Sequence, residues 1–165
     1  MRRLARDLTL DREGQARAMV TERTRRTRLF VYGSLCAPEV MAAVAGRRRA
    51  CEEATSEGLR VVPMRDKPYP ALLRDANATA AGRLYRTLSP REMRRLDAYE
   101  GRAYHRMRVR VRTARGCLCA FVYRMRPGVF VRLGEGAWDR AAFIHRHARN
   151  YVRVWRAHFR RARWQ

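Results

Sequence analysis

The sequence predicts an α+β fold, a small mixed β-barrel or twisted sheet flanked by helices. Residues 104–113 alternate, with Met107, Val109 and Val111 on one face and Arg106, Arg108, Arg110 and Arg112 on the other. A period of two marks a half-buried strand. Ser89-Pro90-Arg91-Glu92 opens a helix, with serine at the cap, proline at the first helical position and glutamate at the third. Phe143, His147, Tyr151 and Trp155 recur every four residues, which builds the buried stripe of a longer helix. A chain of 165 residues with 47% hydrophobic content suits one domain with its own core.

The chain divides into a basic N-terminal extension over 1–28, a domain over 29–137, and an arginine- and aromatic-rich helix over 138–165 that packs on the domain. The extension has only a ragged helical stripe through Leu4, Leu8, Leu10, Met19 and Val20. Arg-rich, acid-poor starts can be mitochondrial presequences, a signal that Asp7, Asp11, Glu13 and Glu22 dilute here. Leu29-Phe30-Val31 reads as a buried strand. Pro38 opens a short helix through Ala45. Residues 50–62 form one or two strands. Lys67-Pro68-Tyr69-Pro70 is read as an extended loop, because residues before proline avoid the helical region. Residues 81–85 form a further strand. The helix opened at Ser89 ends near Gly101, a closing glycine. Residues 117–125 are apolar on both faces and read as a central strand. Trp138 and Asp139 open the long helix, which runs to about Arg160.

Charge is the unusual property. There are 38 basic and 15 acidic residues, a net charge of +23. Lys67 is the only lysine. Such a charge in a small domain repels itself unless something anionic lies against it. RNA is the first candidate, because arginine pairs with phosphate bidentately and stacks on bases. The density is highest at the end of the chain, where residues 140–165 hold eight arginines and no acid. The outward arginines of residues 104–113 stand about 6.6 Å apart along their strand. The expected RNA-contacting residues are Arg106, Arg108, Arg110, Arg112, Arg153, Arg156, Arg160, Arg161 and Arg163. Trp155, Phe159 and Trp164 stand among the later ones as stacking surfaces.

No apolar run approaches the roughly 20 residues that span a bilayer, and no secretory h-region is present. The expected location is intracellular, in cytoplasm or mitochondrial matrix. Cys36, Cys51, Cys117 and Cys119 form no C-x-x-C pair and no zinc-ligand spacing with histidine. They read as small buried residues in a reducing compartment. His145 and His147 are two apart on a helix and point in different directions, so they do not chelate together. No metal site is expected.

The chemistry is expected in two short segments. Tyr32-Gly33-Ser34-Leu35 follows the first strand directly. A small-residue turn there leaves backbone N–H groups free to hold a carboxylate or phosphate oxygen. Leu96-Asp97-Ala98-Tyr99-Glu100-Gly101 then places Glu100 at a helix end, where its side chain can point into a cavity. An anion-gripping turn and a lone carboxylate form a minimal acid–base site. Neither G-x-G-x-x-G nor G-K-[ST] is present, so the turn is not a nucleotide loop. Ser34 lacks a G-x-S-x-G setting and an obvious histidine base, which argues against a nucleophile.

Six segments follow one another in a recognisable order. They are Phe30-Val31-Tyr32-Gly33-Ser34-Leu35, Tyr69-Pro70-Ala71-Leu72, Gly82-Arg83-Leu84-Tyr85, the segment ending Tyr99-Glu100-Gly101, Tyr104-His105-Arg106, and Trp138-Asp139-Arg140-Ala141-Ala142-Phe143. Together they resemble the γ-glutamylcyclotransferase-like family, and within it the γ-glutamylamine cyclotransferase-like branch, from about residue 29 to 152. The resemblance implies a small mixed fold on a twisted β-barrel, with no metal and no organic cofactor. It implies a small γ-glutamyl substrate whose α-carboxylate rests in the turn of Tyr32, Gly33, Ser34 and Leu35. It makes Glu100 the catalytic acid and base of an intramolecular cyclisation to 5-oxoproline. Tyr69, Tyr104 and Tyr123 would line the pocket. The alternative expectation is a catalytically silent member of the family, recruited as an RNA-binding structural subunit of a large ribonucleoprotein such as an organellar ribosome or its assembly intermediate.

Overall fold

The structure, a computed structural model, describes residues 26–162. Most of the basic extension, Arg163 and Trp164 lie outside the described residues. Strands β1 (Thr27–Val31), β2 (Glu52–Met64), β3 (Lys67–Leu88), β4 (Tyr104–Thr113) and β5 (Gly116–Met125) close into a barrel in the order β1-β3-β2-β4-β5. β2 and β3 form a long antiparallel hairpin, with Ser56 opposite Ala80 and Val61 opposite Leu72. β4 and β5 form a second hairpin, from Tyr104 opposite Met125 to Thr113 opposite Gly116. Closure comes from a parallel pairing of Leu29 with Phe121 and an antiparallel pairing of Thr55 with Arg112.

Alternation along the strands divides the core in two. Phe30 points inward and joins Leu59, Leu72, Leu84, Val111 and Val122 inside the barrel. Leu29 and Val31 point outward, under helices α1 (Pro38–Ala45), α2 (Pro90–Glu100) and α3 (Arg140–Arg161). There they meet Val40 and Met41 of α1, Leu96 of α2 and Phe143 of α3.

The helix starts follow the local sequence. The Ser89 side chain accepts from the Glu92 N–H, and Glu92 Oε2 accepts in turn from the Ser89 N–H at 2.7 Å. That capping box fixes the first turn of α2. Gly101 closes α2 at φ 70°, a conformation that favours glycine. Asp139 caps α3 by accepting from the Ala142 N–H at 2.9 Å. Among the described residues, no helix is long and apolar enough to cross a membrane.

Three expectations need correction. Lys67 to Pro70 is not a loop but the start of β3. Val62 pairs with Ala71 and Met64 with Lys67, so the single Pro63 faces Pro68, Tyr69 and Pro70 across a bulge. Extended backbone before proline serves a strand as well as a loop, and a bulge tolerates the missing donors. Second, only Cys36 is buried; Cys51 is half-buried, and Cys117 and Cys119 are exposed. β5 does lie between two neighbours, but its first residues face outward into solvent. Third, the stripe on α3 is fully buried only at Phe143. His147, Tyr151 and Trp155 are half-buried, and for Tyr151 and Trp155 the reason is a cavity.

Candidate active site

The end of β1 leads through Tyr32 and Gly33 into a single 3₁₀ turn, Ser34–Cys36. The Cys36 N–H bonds to Gly33 O at 2.9 Å, and the Ala37 N–H bonds to Ser34 O at 3.1 Å. The first N–H groups of such a turn have no acceptor within it. Gly33 packs tightly on β3, since a Cβ there would meet Pro70 Cδ at 3.1 Å. This close approach sets the turn against the bulge that carries Tyr69.

α2 delivers Glu100 to the same place. Tyr32, Gly33, Ser34 and Leu35 line one narrow niche together with Glu100, and Tyr69, Tyr104 and Tyr123 complete it. All eight residues expected at a substrate site therefore converge, although they come from four elements and the β1–α1 connection. The niche opens into an outer chamber of about 290 Å³ through shared walls at Ser34, Tyr69, Glu100 and Tyr104. Tyr99 forms one side of this chamber. α3 supplies the other side with Tyr151 and Trp155, and the rim with the exposed Asn150 and Val154.

The polar contacts fix this arrangement. Ser34 Oγ and Tyr99 Oη are 2.6 Å apart, which ties the turn to α2. The Tyr99 ring packs on Trp155 with centroids 4.7 Å apart. Tyr123 Oη donates to Asp97 Oδ1 at 2.7 Å, and Arg106 Nε reaches the same oxygen at 3.2 Å.

Electrostatics set the protonation. Burial pushes the Glu100 carboxyl up to about 8, and the Asp97 carboxylate adds to the effect. At neutral pH most of Glu100 keeps its proton, close to the balance that proton exchange in both directions requires. Burial also raises the Tyr32 and Tyr104 phenols, with the Glu100 charge adding in each case. Those hydroxyls remain O–H donors at physiological pH. Among the described residues, no three or more His, Cys, Asp or Glu side chains gather as a metal site would need.

Several of these residues carry no signal in the sequence that marks them for a pocket. Tyr99, Tyr151 and Trp155 are known as pocket residues only from the closed fold. Asp97 is the exception, since a carboxylate three residues before Glu100 on a helix shares its face.

The expected RNA-contacting arginines fall on two surfaces. On β4, Arg106 and Arg108 lie over the Phe121 ring at 5.6 and 5.7 Å, Arg112 pairs with Glu57 at 3.3 Å, and Arg110 is exposed. On α3, Arg153 donates to Asn150 Oδ1 at 2.9 Å, and Arg161 is exposed in the last turn. Arg156 and Arg160 line a surface concavity with Arg47, Arg48 and Arg95. Arg163 lies outside the described residues.

Residues 29–140 match the family Gamma-glutamyl cyclotransferase, AIG2-like. Two curated proteins of Arabidopsis thaliana are similar over 83 residues. Protein AIG2 C is 29% identical over 50% of each chain, and AIG2-like protein C is 31% identical over 50% of this chain and 48% of its own length. The chain thus spans about half the length of the curated relatives it matches. Among solved structures, an Arabidopsis thaliana protein superposes with a TM-score of 0.59 at 23% identity over 82% of both chains. A gamma-glutamyl cyclotransferase superposes at 0.56 with 15% identity, over 66% of this chain and 70% of that one. An AIG2-like protein from Mus musculus superposes at 0.56 with 21% identity, over 70% and 89%. At these identities the superpositions show a shared fold.

Proposed function

Because the chain belongs to the AIG2-like gamma-glutamyl cyclotransferase family, we propose that it cyclises a γ-glutamyl amide to 5-oxoproline and releases the amine. The observation that carries this reading is the meeting of Glu100 with the Tyr32–Leu35 turn in one niche. The substrate α-carboxylate rests against the free N–H groups of the turn. Ionised Glu100 takes a proton from the α-ammonium, and the amine nitrogen attacks the γ-carbonyl carbon. The phenols of Tyr32 and Tyr104 are available to donate to the oxygen as it gains charge. Glu100 then returns the proton to the leaving nitrogen as the old amide C–N bond breaks, and the second proton shed by the attacking nitrogen goes to the released amine, which departs as an ammonium. Atoms balance without water or a cofactor. Holding the chain folded converts the attack into a proximity-assisted step.

Incubation with γ-glutamyl-ε-lysine or γ-glutamyl dipeptides and assay for 5-oxoproline tests the reading. Glu100→Gln should lower turnover about 10²- to 10⁴-fold, the usual worth of a positioned acid–base group, with the fold retained by circular dichroism. Wild-type protein that turns over no γ-glutamyl compound would overturn the reading.

A second reading concerns the outer surface and rests on the net charge of +23. An open groove beside β1 and β5 is lined by Arg28, Arg86, Arg108 and Phe121. We propose that this face contacts RNA, with guanidinium groups on phosphates and Phe121 under a base. Affinity for a single-stranded RNA should then fall steeply as salt rises. Absent binding, or binding indifferent to salt, would remove this reading and leave the first untouched.

A further inference from the structure

The outer chamber departs from the rest of the molecule in charge. The chain carries a net charge of +23, yet among the described residues no basic side chain lines this chamber. Among the described residues, its one ionisable side chain besides the tyrosine phenols is Glu100. Its walls are aromatic, with Tyr69, Tyr99, Tyr104, Tyr151 and Trp155 facing one space. Arg153 is tied to Asn150 at the rim but does not line the chamber, and Arg124 acts on Tyr32 without lining either compartment.

Position decides what this chamber receives. The inner niche holds the turn, which suits the α-carboxylate end of a γ-glutamyl group. Glu100 stands at the junction of niche and chamber, where the scissile amide would lie. The outer chamber therefore takes the part beyond the amide nitrogen, which is the leaving amine. A leaving amino acid would bring its own carboxylate into an aromatic chamber whose described lining offers no cation to meet it. Burying an unpaired carboxylate is costly, and any ionised Glu100 would repel it further. Arg153, tied to Asn150 at the rim, does not repair this, because it is exposed and salt screens an exposed charge over about 10 Å at 0.1 M. An apolar body, by contrast, gains contact with every ring, and an aromatic one also gains edge or offset-stacked geometry.

We infer that the leaving half of the substrate is an apolar amine without a carboxylate, seated against Tyr99, Tyr151 and Trp155 of the outer chamber. The inference rests on the cyclisation reading and narrows it. α3 becomes the specificity element, since it contributes two of those rings and the rim.

Two substrates that differ only in the carboxylate test this directly: γ-glutamyl-phenethylamide and γ-glutamyl-phenylalanine. The phenethylamide should show a kcat/KM at least tenfold higher. Equal values, or a preference for the phenylalanine derivative, would overturn the inference while leaving cyclisation standing. γ-Glutamyl-putrescine should also fall below the phenethylamide; if it wins, the chamber selects a cation and the inference is wrong. Val154→Arg provides the converse arm, because Val154 is 50% exposed at the rim and tolerates a longer side chain. A cation there should narrow the ratio between the two substrates severalfold, and an unchanged ratio counts against the assignment. If neither compound yields 5-oxoproline, the cyclisation reading fails, and calorimetry with free phenethylamine and free phenylalanine decides the chamber alone. Binding of the amine in preference to the amino acid supports the assignment. Equal binding, or none, removes it.

Discussion

Asp97 lies one helical turn before Glu100 on α2, and its carboxylate reinforces the burial that keeps the Glu100 proton in place. Asp97 is itself held by Tyr123 and Arg106, from the two strands of the β4–β5 hairpin. The hairpin therefore bears on the acid–base group through one intermediate carboxylate. In Asp97→Asn that charge disappears and Arg106 loses its partner, and both changes favour ionised Glu100. The acid limb of kcat/KM should move to lower pH from its position near 8. Burial remains, so the limb should stop well short of an ordinary glutamate. A pH–rate profile of the variant reads this, and an unmoved limb would show that Asp97 does not act on Glu100.

Glu100 also makes stability depend on pH. Its folded carboxyl titrates near 8 against an ordinary 4.5, so the folded state binds the extra proton between those values. A raised folded pKa means that the contribution of Glu100 to stability is fully present below about 4.5 and is lost as pH rises through about 8. Glu100→Gln removes this dependence. The variant should gain melting temperature relative to wild type at pH 8.5 and lose that advantage at pH 5. A constant difference across that range would place the Glu100 carboxyl in water rather than in the niche.

The sequence was most legible where the determinant is local. Ser89, Pro90 and Glu92 announce α2, and the arginine alternation announces β4, because capping and pleat act within a few residues. Residues 74–79 carried no strand signal, with Asp75 and Asn77 among them. They lie within β3, but only Arg74 and Thr79 pair with β2, opposite Leu59 and Glu57, and residues 75–78 bulge past Gly58. A bulge tolerates such turn-forming residues inside a strand. The site divides in the same way. The turn at Tyr32 and the carboxylate at Glu100 stand out as motifs. The bond between Ser34 and Tyr99 joins residues 65 apart and exists only once the barrel closes. The four-residue stripe on α3 marks Tyr151 and Trp155 as inward, but periodicity alone does not distinguish a core from a cavity wall.

Glu92 governs the opposite pH limit. It is buried and takes two bonds from Arg49 at 2.6 Å and one from Arg47 at 3.1 Å, besides capping Ser89. Burial alone would raise its carboxyl, but the bonds from Arg49, Ser89 and Arg47 outweigh it and bring it down to about 2. A depressed folded pKa contributes stability above the ordinary 4.5, lost as pH falls toward about 2. Removing one partner of such a buried pair costs roughly 3–5 kcal/mol. Glu92→Ala should therefore unfold at markedly lower urea at pH 7, and its stability should fall less steeply than wild type's below pH 4.5. Equal acid slopes in the two proteins would contradict the role given to this carboxylate.

Gly82 is the position where the smallest substitution should do the most damage to both fold and site. A Cβ there would lie 2.1 Å from Val31 O and 2.8 Å from Phe30 Cε2. The first contact is with backbone, which no rotamer change relieves. β1 must then move away from β3, and the ladder that pairs Phe30 with Leu84 and Val31 with Arg83 is the element displaced. Overpacking usually costs about 1–3 kcal/mol, and a backbone clash this close belongs at or beyond the upper end. The turn that begins at Tyr32 hangs directly from β1, so its grip on an α-carboxylate should loosen as well. Gly82→Ala is expected to lower the urea midpoint and, in the fraction that folds, to raise KM for a γ-glutamyl substrate more than it lowers kcat. Wild-type stability in this variant would mean that β1 does not lie as close to β3 as the Gly82 contact requires.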